Sequence, residues 1–114
     1  MDSDKGQDIK YELNEQLFIW NSIKAENNIK KHGITFEEAA TVFMLDETEY
    51  YNDEEHSDDE EERFIAIGLS DKLNILMVCH CLREKETVTR IISARKTDEN
   101  EQKRMRRKYN ERFL

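Results

Sequence analysis

The segment ITFEEAATVF, residues 34–43, contains the clearest helix signal in the chain. Thr35 and Glu38 have the spacing of a capping box, in which the hydroxyl accepts a hydrogen bond from one exposed N–H and the carboxylate accepts one from another. Apolar side chains then recur at i, i+3, i+4 and i+7, the spacing of a stripe that faces a core. They are Phe36, Ala39, Ala40 and Phe43. The segment therefore predicts a short helix that packs on a core through one face.

The residues before this helix predict a strand and a further helix. Residues 17–20, LFIW, form a short apolar run of strand-forming types. Asn21 or Ser22 can cap a helix that runs to about His32, and Gly33 is the left-handed residue that commonly ends a helix.

Three strand-like segments follow the acidic middle of the chain, at residues 63–70, 73–81 and 87–94. The breaks at residues 71–72 and 84–86 are short, so antiparallel hairpins are the economical connection between the strands.

A basic helix is predicted from Asp98 toward Leu114, with Asp98 and Glu101 as a second possible capping box. The predicted order is a strand, two helices, an antiparallel sheet and a C-terminal basic helix, which is an α+β fold. A chain of 114 residues fits one domain. We assign that domain to residues 17–114 and treat residues 1–16 as a polar N-terminal extension. Residues 1–15 are expected to form a solvated tail with a little order near Tyr11 and Leu13.

The charge of the chain is unevenly distributed. A formal net charge of −8 and a pI of about 4.9 argue, taken alone, against a protein that holds the backbone of nucleic acid. However, residues 46–62 contain eleven acidic residues and no Lys or Arg. Residues 63–114 contain seven acidic and thirteen basic residues, a net charge of +6. The negative net charge thus comes from one acidic loop, residues 46–62, and the C-terminal half of the chain is basic.

Several classes of protein and site have no support in the sequence. No apolar run approaches the ~18–20 residues of a membrane helix, and residues 1–15 lack the apolar core of a signal peptide. Cys79 and Cys81 are too close in a strand for an easy disulfide, so a reduced, cytoplasmic protein is expected. Their spacing is not that of a zinc site either, and we predict no specific metal site and no cofactor.

Four blocks of sequence together resemble the BrnT toxin family. They are Phe18-x-Trp20, the segment from Asn27 through KKHGI-x-FEEA to Val42-Phe43, Glu62-Arg63-x-x-Ala66-Ile67-Gly68, and RIISARK at residues 90–96. The resemblance implies a compact RelE-like fold and a type II toxin–antitoxin ribonuclease that needs no metal. It also implies a partner, the BrnA antitoxin, of ribbon-helix-helix type, with which the toxin would form a heterotetramer. Three features depart from the family pattern: Asn21 in place of the usual Asp, the acidity of the loop, and the extension at residues 1–16.

RNA cleavage without a metal needs a base for the ribose 2′-OH, cations for the charge on phosphorus, and an acid for the departing 5′-oxygen. Arginine suits the second task because its planar fork can hold two phosphate oxygens. With the resemblance, the predicted catalytic residues are Arg63, His80, Arg90 and Arg95. The predicted RNA-binding residues are Arg83, Lys96, Arg104 and Arg107.

Arg90 and the three histidines also have structural interpretations. Arg90, which strict alternation puts on one strand face with Val88 and Ile92, would otherwise form an ion pair with a carboxylate. His80 would otherwise be a satisfied structural histidine. His32 is assigned to helix termination or antitoxin contact, and His56 to a solvated position in the loop.

The basic cluster at residues 103–108 has three interpretations: an electrostatic footprint for RNA, a solvated face, or a surface that folds against the acidic loop or pairs with an acidic partner surface. The loop itself would shield the basic face, mimic RNA or aid solubility. The sequence thus predicts an endoribonuclease toxin that cleaves RNA and inhibits translation. The alternative is a non-enzymatic, degenerate toxin that acts as a binding partner or co-repressor with an antitoxin.

Overall fold

The computed structural model describes residues 6–113. Its centre is a six-stranded sheet in which most neighbouring strands are joined by hairpins. The strands are β1 Asp8–Leu13, β2 Gln16–Asn21, β3 Glu49–Asn52, β4 Arg63–Leu69, β5 Ile75–Arg83 and β6 Val88–Lys96. The helices are α1 Ser22–His32, α2 Phe36–Thr41 and α3 Glu99–Phe113. Across the sheet the strands lie in the order β1-β2-β6-β5-β4-β3. This architecture confirms the predicted α+β class.

The sheet is mixed. β4, β5 and β6 form the predicted antiparallel meander. β2 lies beside β6 and parallel to it, with Leu17 opposite Val88 and Ile19 opposite Arg90. Parallel neighbours need a long crossover, and here the crossover contains α1, α2 and three strands. The predicted N-terminal strand is therefore an inner strand of the sheet.

The prediction of a solvated tail over residues 1–15 is wrong for Asp8–Leu13. These residues form the edge strand β1, which pairs antiparallel with β2 from Asp8 opposite Asn21 to Leu13 opposite Gln16. Asn14 and Glu15, with φ of 48° and 67°, make the two-residue turn, and this left-handed pair matches the twist of a hairpin. Glycine, the usual signal for such a turn, is missing at both positions. Residues 1–5 of the predicted tail lie outside the described residues.

The helix boundaries follow the predicted caps. The Asn21 side chain accepts hydrogen bonds from the N–H groups of Ile23 and Lys24, each at 3.0 Å, and Gly33 ends α1 with φ of 72°. At the start of α3, the backbone N–H groups of Asp98 and Glu101 each donate to the other residue's carboxylate, at 2.7 and 2.8 Å. Both predictions are confirmed. Within residues 6–113, no helix has the length and apolar character needed to span a membrane.

The capping box of α2 is only half formed. Thr35 Oγ1 accepts a hydrogen bond from the Glu38 N–H at 3.0 Å, as predicted. The Glu38 carboxylate does not serve as the second half. It is buried and accepts hydrogen bonds from Ser70 Oγ at 2.6 Å and Asn74 Nδ2 at 2.8 Å. Glu38 therefore fastens α2 to the turn between β4 and β5.

The two faces of the sheet are covered differently. The face under α1 and α2, here called the α1/α2 face, carries the main core, which includes Phe18, Trp20, Phe36, Leu76 and Val78. On the other face, α3 packs its Met105 and Tyr109 against strand residues of β4 and β5 in a smaller cluster. We call this second face the open face, because α3 covers only part of it.

The prediction that residues 46–62 form a loop throughout is wrong for Glu49–Asn52, which form the edge strand β3. A short 3₁₀ turn, Glu54–His56, follows it. The backbone N–H of Asp53 donates to the Arg63 carbonyl at 2.9 Å, and the Arg63 N–H donates to Ser57 Oγ at 2.8 Å. These contacts attach residues 46–62, from here called the acidic segment, to the edge of the sheet beside β4.

Candidate functional site

Arginines from three neighbouring strands lie on the open face. Arg63 of β4 and Arg90 of β6 are both register partners of Cys81 in β5, and paired residues in a sheet project to the same side. Arg83 follows Cys81 by two positions, so it lies on that side as well. Three of the predicted catalytic or RNA-binding arginines thus occupy one surface.

A β-bulge brings Arg95 to the same face. Cys79 pairs with Ser93, but the next residue of β5 pairs with Ile91, so Ile92 is an extra residue in β6. Arg90 and Arg95 are five positions apart and would face opposite sides of a regular strand. The extra residue shifts the alternation of side chains by one position. Arg95 therefore pairs with Met77 and lies on the open face. The predicted shared face of Val88, Arg90 and Ile92 is interrupted at Ile92 for the same reason.

A cavity of about 350 Å³ lies on the open face between two of these arginines. Arg63 and Arg95 line it, together with apolar side chains of the sheet such as Met77. Further lining residues come from outside the sheet: His32 from the last turn of α1, and Asp53, Glu55 and His56 from the acidic segment. The cavity therefore combines guanidinium and imidazole groups in a space large enough for a phosphodiester group.

Each arginine of the open face has a carboxylate partner in the same chain. Glu61 binds both Arg63, with its Nε at 3.1 Å, and Arg83, with its Nη2 at 2.8 Å. Arg90 Nη2 lies 2.9 Å from Asp8 Oδ1, which confirms the ion-pair interpretation of Arg90. Arg95 Nη1 lies 3.7 Å from Glu101 Oε1. These ion pairs therefore neutralise part of the positive charge of the open face.

Glu61 is the most heavily engaged of these carboxylates. Its hydrogen bond from Arg83 lowers its pKa, helped by Arg63 and opposed by partial burial. Glu61 therefore stays charged well into the acidic range and holds both guanidinium groups at neutral pH.

His80 lies on the other side of the sheet from the arginines. It is 3 % exposed, and its ring packs against those of Phe43, Tyr50 and Phe64 at centroid distances of 4.8, 6.2 and 5.9 Å. Its Nδ1 lies 3.2 Å from the Val78 carbonyl oxygen, which can only accept, so Nδ1 carries the proton. Burial lowers the pKa of His80, opposed by this bond. These contacts match the alternative of a structural histidine.

His32 and His56 both line the arginine cavity. The predicted solvated position of His56 agrees with its exposure, but the prediction does not include its contact with Asp53 or its place in the cavity lining. Its side chain is 58 % exposed, but Nδ1 lies 2.9 Å from Oδ2 of Asp53, whose side chain is 9 % exposed. The only sequence signal for this pair is the i, i+3 spacing of Asp53 and His56. The two side chains meet because a 3₁₀ turn forms between them.

The basic cluster of α3 divides into two parts. Arg104 Nη1 lies 2.8 Å from Glu49 Oε1, and Lys108 Nζ lies 3.0 Å from Glu49 Oε2. For these two residues the third interpretation, folding against the acidic segment, is confirmed. Arg107 is exposed and lies across the helix from Met105, which packs on the sheet.

Lys96 is exposed at the end of β6 and pairs with Leu76 of the α1/α2 core. Alternation therefore puts it on the side opposite Arg95. Of the eight residues predicted for catalysis or RNA binding, the cavity brings together Arg63 and Arg95, and the open face adds Arg83 and Arg90. His80, Lys96, Arg104 and Arg107 lie elsewhere.

Among the described residues, no three histidine, cysteine, aspartate or glutamate side chains are grouped closely enough to hold a metal ion. The nearest approach to such a group in the cavity is Cys79, whose Sγ lies 3.6 Å from Asp53 Oδ2. Burial, together with the charge of Asp53, raises the pKa of the Cys79 thiol to about 11. The thiol is therefore protonated at neutral pH and is not a nucleophile in this state.

Comparison with models of known protein families gives a match. A family model described as a ribonuclease toxin, BrnT, of type II toxin–antitoxin systems matches residues 20–101. These residues include α1, α2 and strands β3 to β6, with every residue named above as lining the cavity. A search of curated proteins found no match.

Proposed function

Because the chain belongs to the BrnT family of ribonuclease toxins of type II toxin–antitoxin systems, we propose that its open face binds and cuts RNA. A member of such a family has an antitoxin as its partner. The proposed activity is a metal-independent endoribonuclease that acts in the cytoplasm and inhibits translation.

The observation that carries this proposal is the convergence of arginines on one partly uncovered sheet face. A phosphodiester in the cavity would meet Arg63 from β4 and Arg95 from β6. Each guanidinium can donate two parallel hydrogen bonds to phosphate oxygens. Such donors stabilise the charge that builds on the phosphate oxygens as the 2′-oxygen attacks phosphorus. Fixed cations thus supply the electrostatic part of the reaction.

The carboxylates paired with these arginines do not prevent binding. Exposed ion pairs contribute about 0–1 kcal/mol each, and the Arg83 and Arg95 side chains are 41 % and 43 % exposed. A phosphate that binds bidentately is a stronger partner than a carboxylate held at 3.7 Å, as Glu101 is from Arg95. RNA therefore binds by exchanging one anion for another.

We further propose that the antitoxin is a BrnA-type ribbon-helix-helix protein that forms a heterotetramer with the toxin. His32 is its predicted contact. Because His32 also lines the arginine cavity, a partner that covers it would block the entry of RNA. Inhibition by occlusion follows from this position.

The direct test is cleavage of an RNA oligonucleotide by purified protein and by the variants Arg63→Ala and Arg95→Ala. We expect each variant to lose about 30- to 1,000-fold in rate, since removal of one such donor costs about 2–4 kcal/mol of transition-state stabilisation. Lys72→Ala removes one positive charge from an exposed position in the turn between β4 and β5, and this control should cleave normally. Arg95→Lys keeps the charge without the fork and should be intermediate.

The alternative function, a non-enzymatic binding module, is favoured by the carboxylate partner that each open-face arginine has. It predicts RNA or antitoxin binding without cleavage. Wild-type protein that binds the oligonucleotide and leaves it intact would establish this alternative. Growth arrest on expression, relieved by the antitoxin, would exclude its inert form.

A further inference from the structure

We propose that His56, oriented by Asp53, transfers the proton in the RNA cleavage reaction of the arginine cavity. This inference rests on the proposed function and adds the acid–base group that the arginines do not supply. His56 is the catalytic residue in this assignment, and Asp53 is a positioning residue.

The contact between the two side chains sets the protonation of the ring. His56 Nδ1 lies 3.0 and 2.9 Å from the two carboxylate oxygens of Asp53. A carboxylate accepts and does not donate, so the Nδ1–H points to Asp53 and the neutral ring keeps Nε2 as a free acceptor. Asp53 is buried and His56 is exposed. One end of the pair is fixed and the other is open to a ligand.

Backbone contacts fix the pair relative to an arginine. The Asp53 N–H donates to the Arg63 carbonyl at 2.9 Å. Ser57 Oγ donates to the Asp53 carbonyl at 2.8 Å and accepts from the Arg63 N–H at 2.8 Å. The turn that carries His56 is therefore attached to the backbone of Arg63, the first residue of β4.

The same cavity of about 350 Å³ is lined by His56, Arg63 and Arg95. The other ionisable groups that line it are His32, Asp53, Glu55 and Cys79. Cys79 is protonated, Asp53 is bound to His56, and the exposed Glu55 carries a charge that repels the phosphodiester. Of the two imidazoles, His56 has the carboxylate partner, while no side-chain hydrogen bond or ion pair is formed by His32 within residues 6–113. His56 is therefore the group with both position and orientation.

The step itself is a transesterification. The neutral Nε2 of His56 accepts the proton of the ribose 2′-OH while the 2′-oxygen forms a bond to phosphorus. The bond from phosphorus to the 5′-oxygen breaks, and that oxygen takes a proton from water. His56 then releases its proton to solvent. The products are a 2′,3′-cyclic phosphate and a 5′-hydroxyl end, and no oxidant, reductant or metal enters the balance.

The test separates chemistry from binding. Single-turnover cleavage of an RNA oligonucleotide is measured for wild type and His56→Ala, alongside the affinity of each for the same oligonucleotide with 2′-deoxyribose at the cut site. We expect His56→Ala to cleave about 100-fold or more slowly, the usual contribution of a general base, and to bind the deoxy analogue within about twofold of wild type. Added imidazole should restore part of the rate.

Two further variants sharpen the assignment. His32→Ala removes the other imidazole of the cavity, and it should lose less rate than His56→Ala and gain nothing from added imidazole. Asp53→Asn should reduce the rate without a gain from imidazole, because the native ring is present but no longer held in the right tautomer. His56→Gln replaces His56→Ala if the alanine variant is poorly folded by circular dichroism.

Outcomes that overturn the inference differ from those that overturn the proposed function. If wild type cleaves and His56→Ala cleaves within about threefold of it, or is slow but insensitive to imidazole, His56 does not transfer the proton and the ribonuclease assignment stands. If wild type leaves RNA intact, both proposals fail together.

Discussion

Glu61 holds two arginines of the open face with one carboxylate. Its oxygens lie 3.1 Å from Arg63 Nε and 2.8 Å from Arg83 Nη2. A phosphate that approaches Arg63 must therefore compete with a group already in place. This one residue sets how much of the cationic surface is available to RNA.

The change Glu61→Gln should strengthen RNA binding. It removes the competing charge and keeps the size of the side chain. We expect about 3- to 5-fold tighter binding of the deoxy analogue, since an exposed pair is worth at most about 1 kcal/mol. The neighbouring change Glu62→Gln alters the net charge equally at an exposed position and serves as the control. Equal tightening in both variants would contradict a contact effect and indicate a general change of field.

At the level of elements, the sequence predicts what is decided locally. The caps at Asn21, Thr35 and Asp98 depend on residues two or three positions away, and all three side chains cap their helices. Only the Glu38 half of the α2 capping box fails, because a distant turn binds that carboxylate. The bulge at Ile92 depends on how β6 aligns with β5, and no residue type within β6 indicates it. The same limit applies to the parallel pairing of β2 with β6.

In the candidate site too, residue types can be predicted from the sequence, but contacts that depend on strand alignment cannot. The sequence offers arginines as the candidate cationic groups, because the planar guanidinium suits phosphate binding. Which of them converge depends on sheet register, so Arg104 could not be separated from Arg95 in advance. The partner of His56 was missed because a 3₁₀ turn within an acidic stretch has no distinctive pattern.

Glu49 joins two elements that are distant in the sequence. As part of edge strand β3 it accepts hydrogen bonds from Arg104 and Lys108 of α3, and from Tyr51. Burial alone would raise its pKa, but these three bonds outweigh burial and lower the pKa from 4.5 to about 2. Folding therefore favours the charged form, and the contact attaches α3 to the sheet edge.

The change Glu49→Gln should destabilise the protein at neutral pH and matter little in acid. A carboxyl whose pKa is depressed by folding stabilises the fold above its ordinary pKa, and this stability is lost as the pH falls from 4.5 to about 2. We expect a loss of about 1 kcal/mol at pH 7, since the basic partners are partly exposed. Urea denaturation at pH 7, 4 and 3 measures it. A difference between wild type and variant that stays constant over this range would refute the linkage, and Glu54→Gln should show no difference at any pH.

For the whole molecule, a net charge of −8 combines two kinds of acidic residue. Glu49, Asp53 and Glu61 of the acidic segment bind basic groups of the same chain and act through contact. Glu54, Asp59 and Glu60 are exposed and act only through their long-range field. That field is screened beyond about 10 Å at 0.1 M salt. Net charge is therefore a poor guide to whether the open face binds RNA.

The two kinds of charge can be told apart by salt. Changing Glu54→Gln, Asp59→Asn and Glu60→Gln together raises the net charge from −8 to −5 and leaves the ion pairs of Glu49, Asp53 and Glu61 intact. We expect the triple variant to bind the deoxy analogue several-fold more tightly at about 50 mM salt and no more tightly than wild type near 1 M, where screening acts within about 3 Å. The gain from Glu61→Gln should persist at both concentrations when each variant is compared with wild type, because the competing carboxylate is in direct contact with Arg63. If the gain of the triple variant survives high salt, the exposed carboxylates contact the RNA site themselves, and the acidic segment is a shield rather than a distant charge.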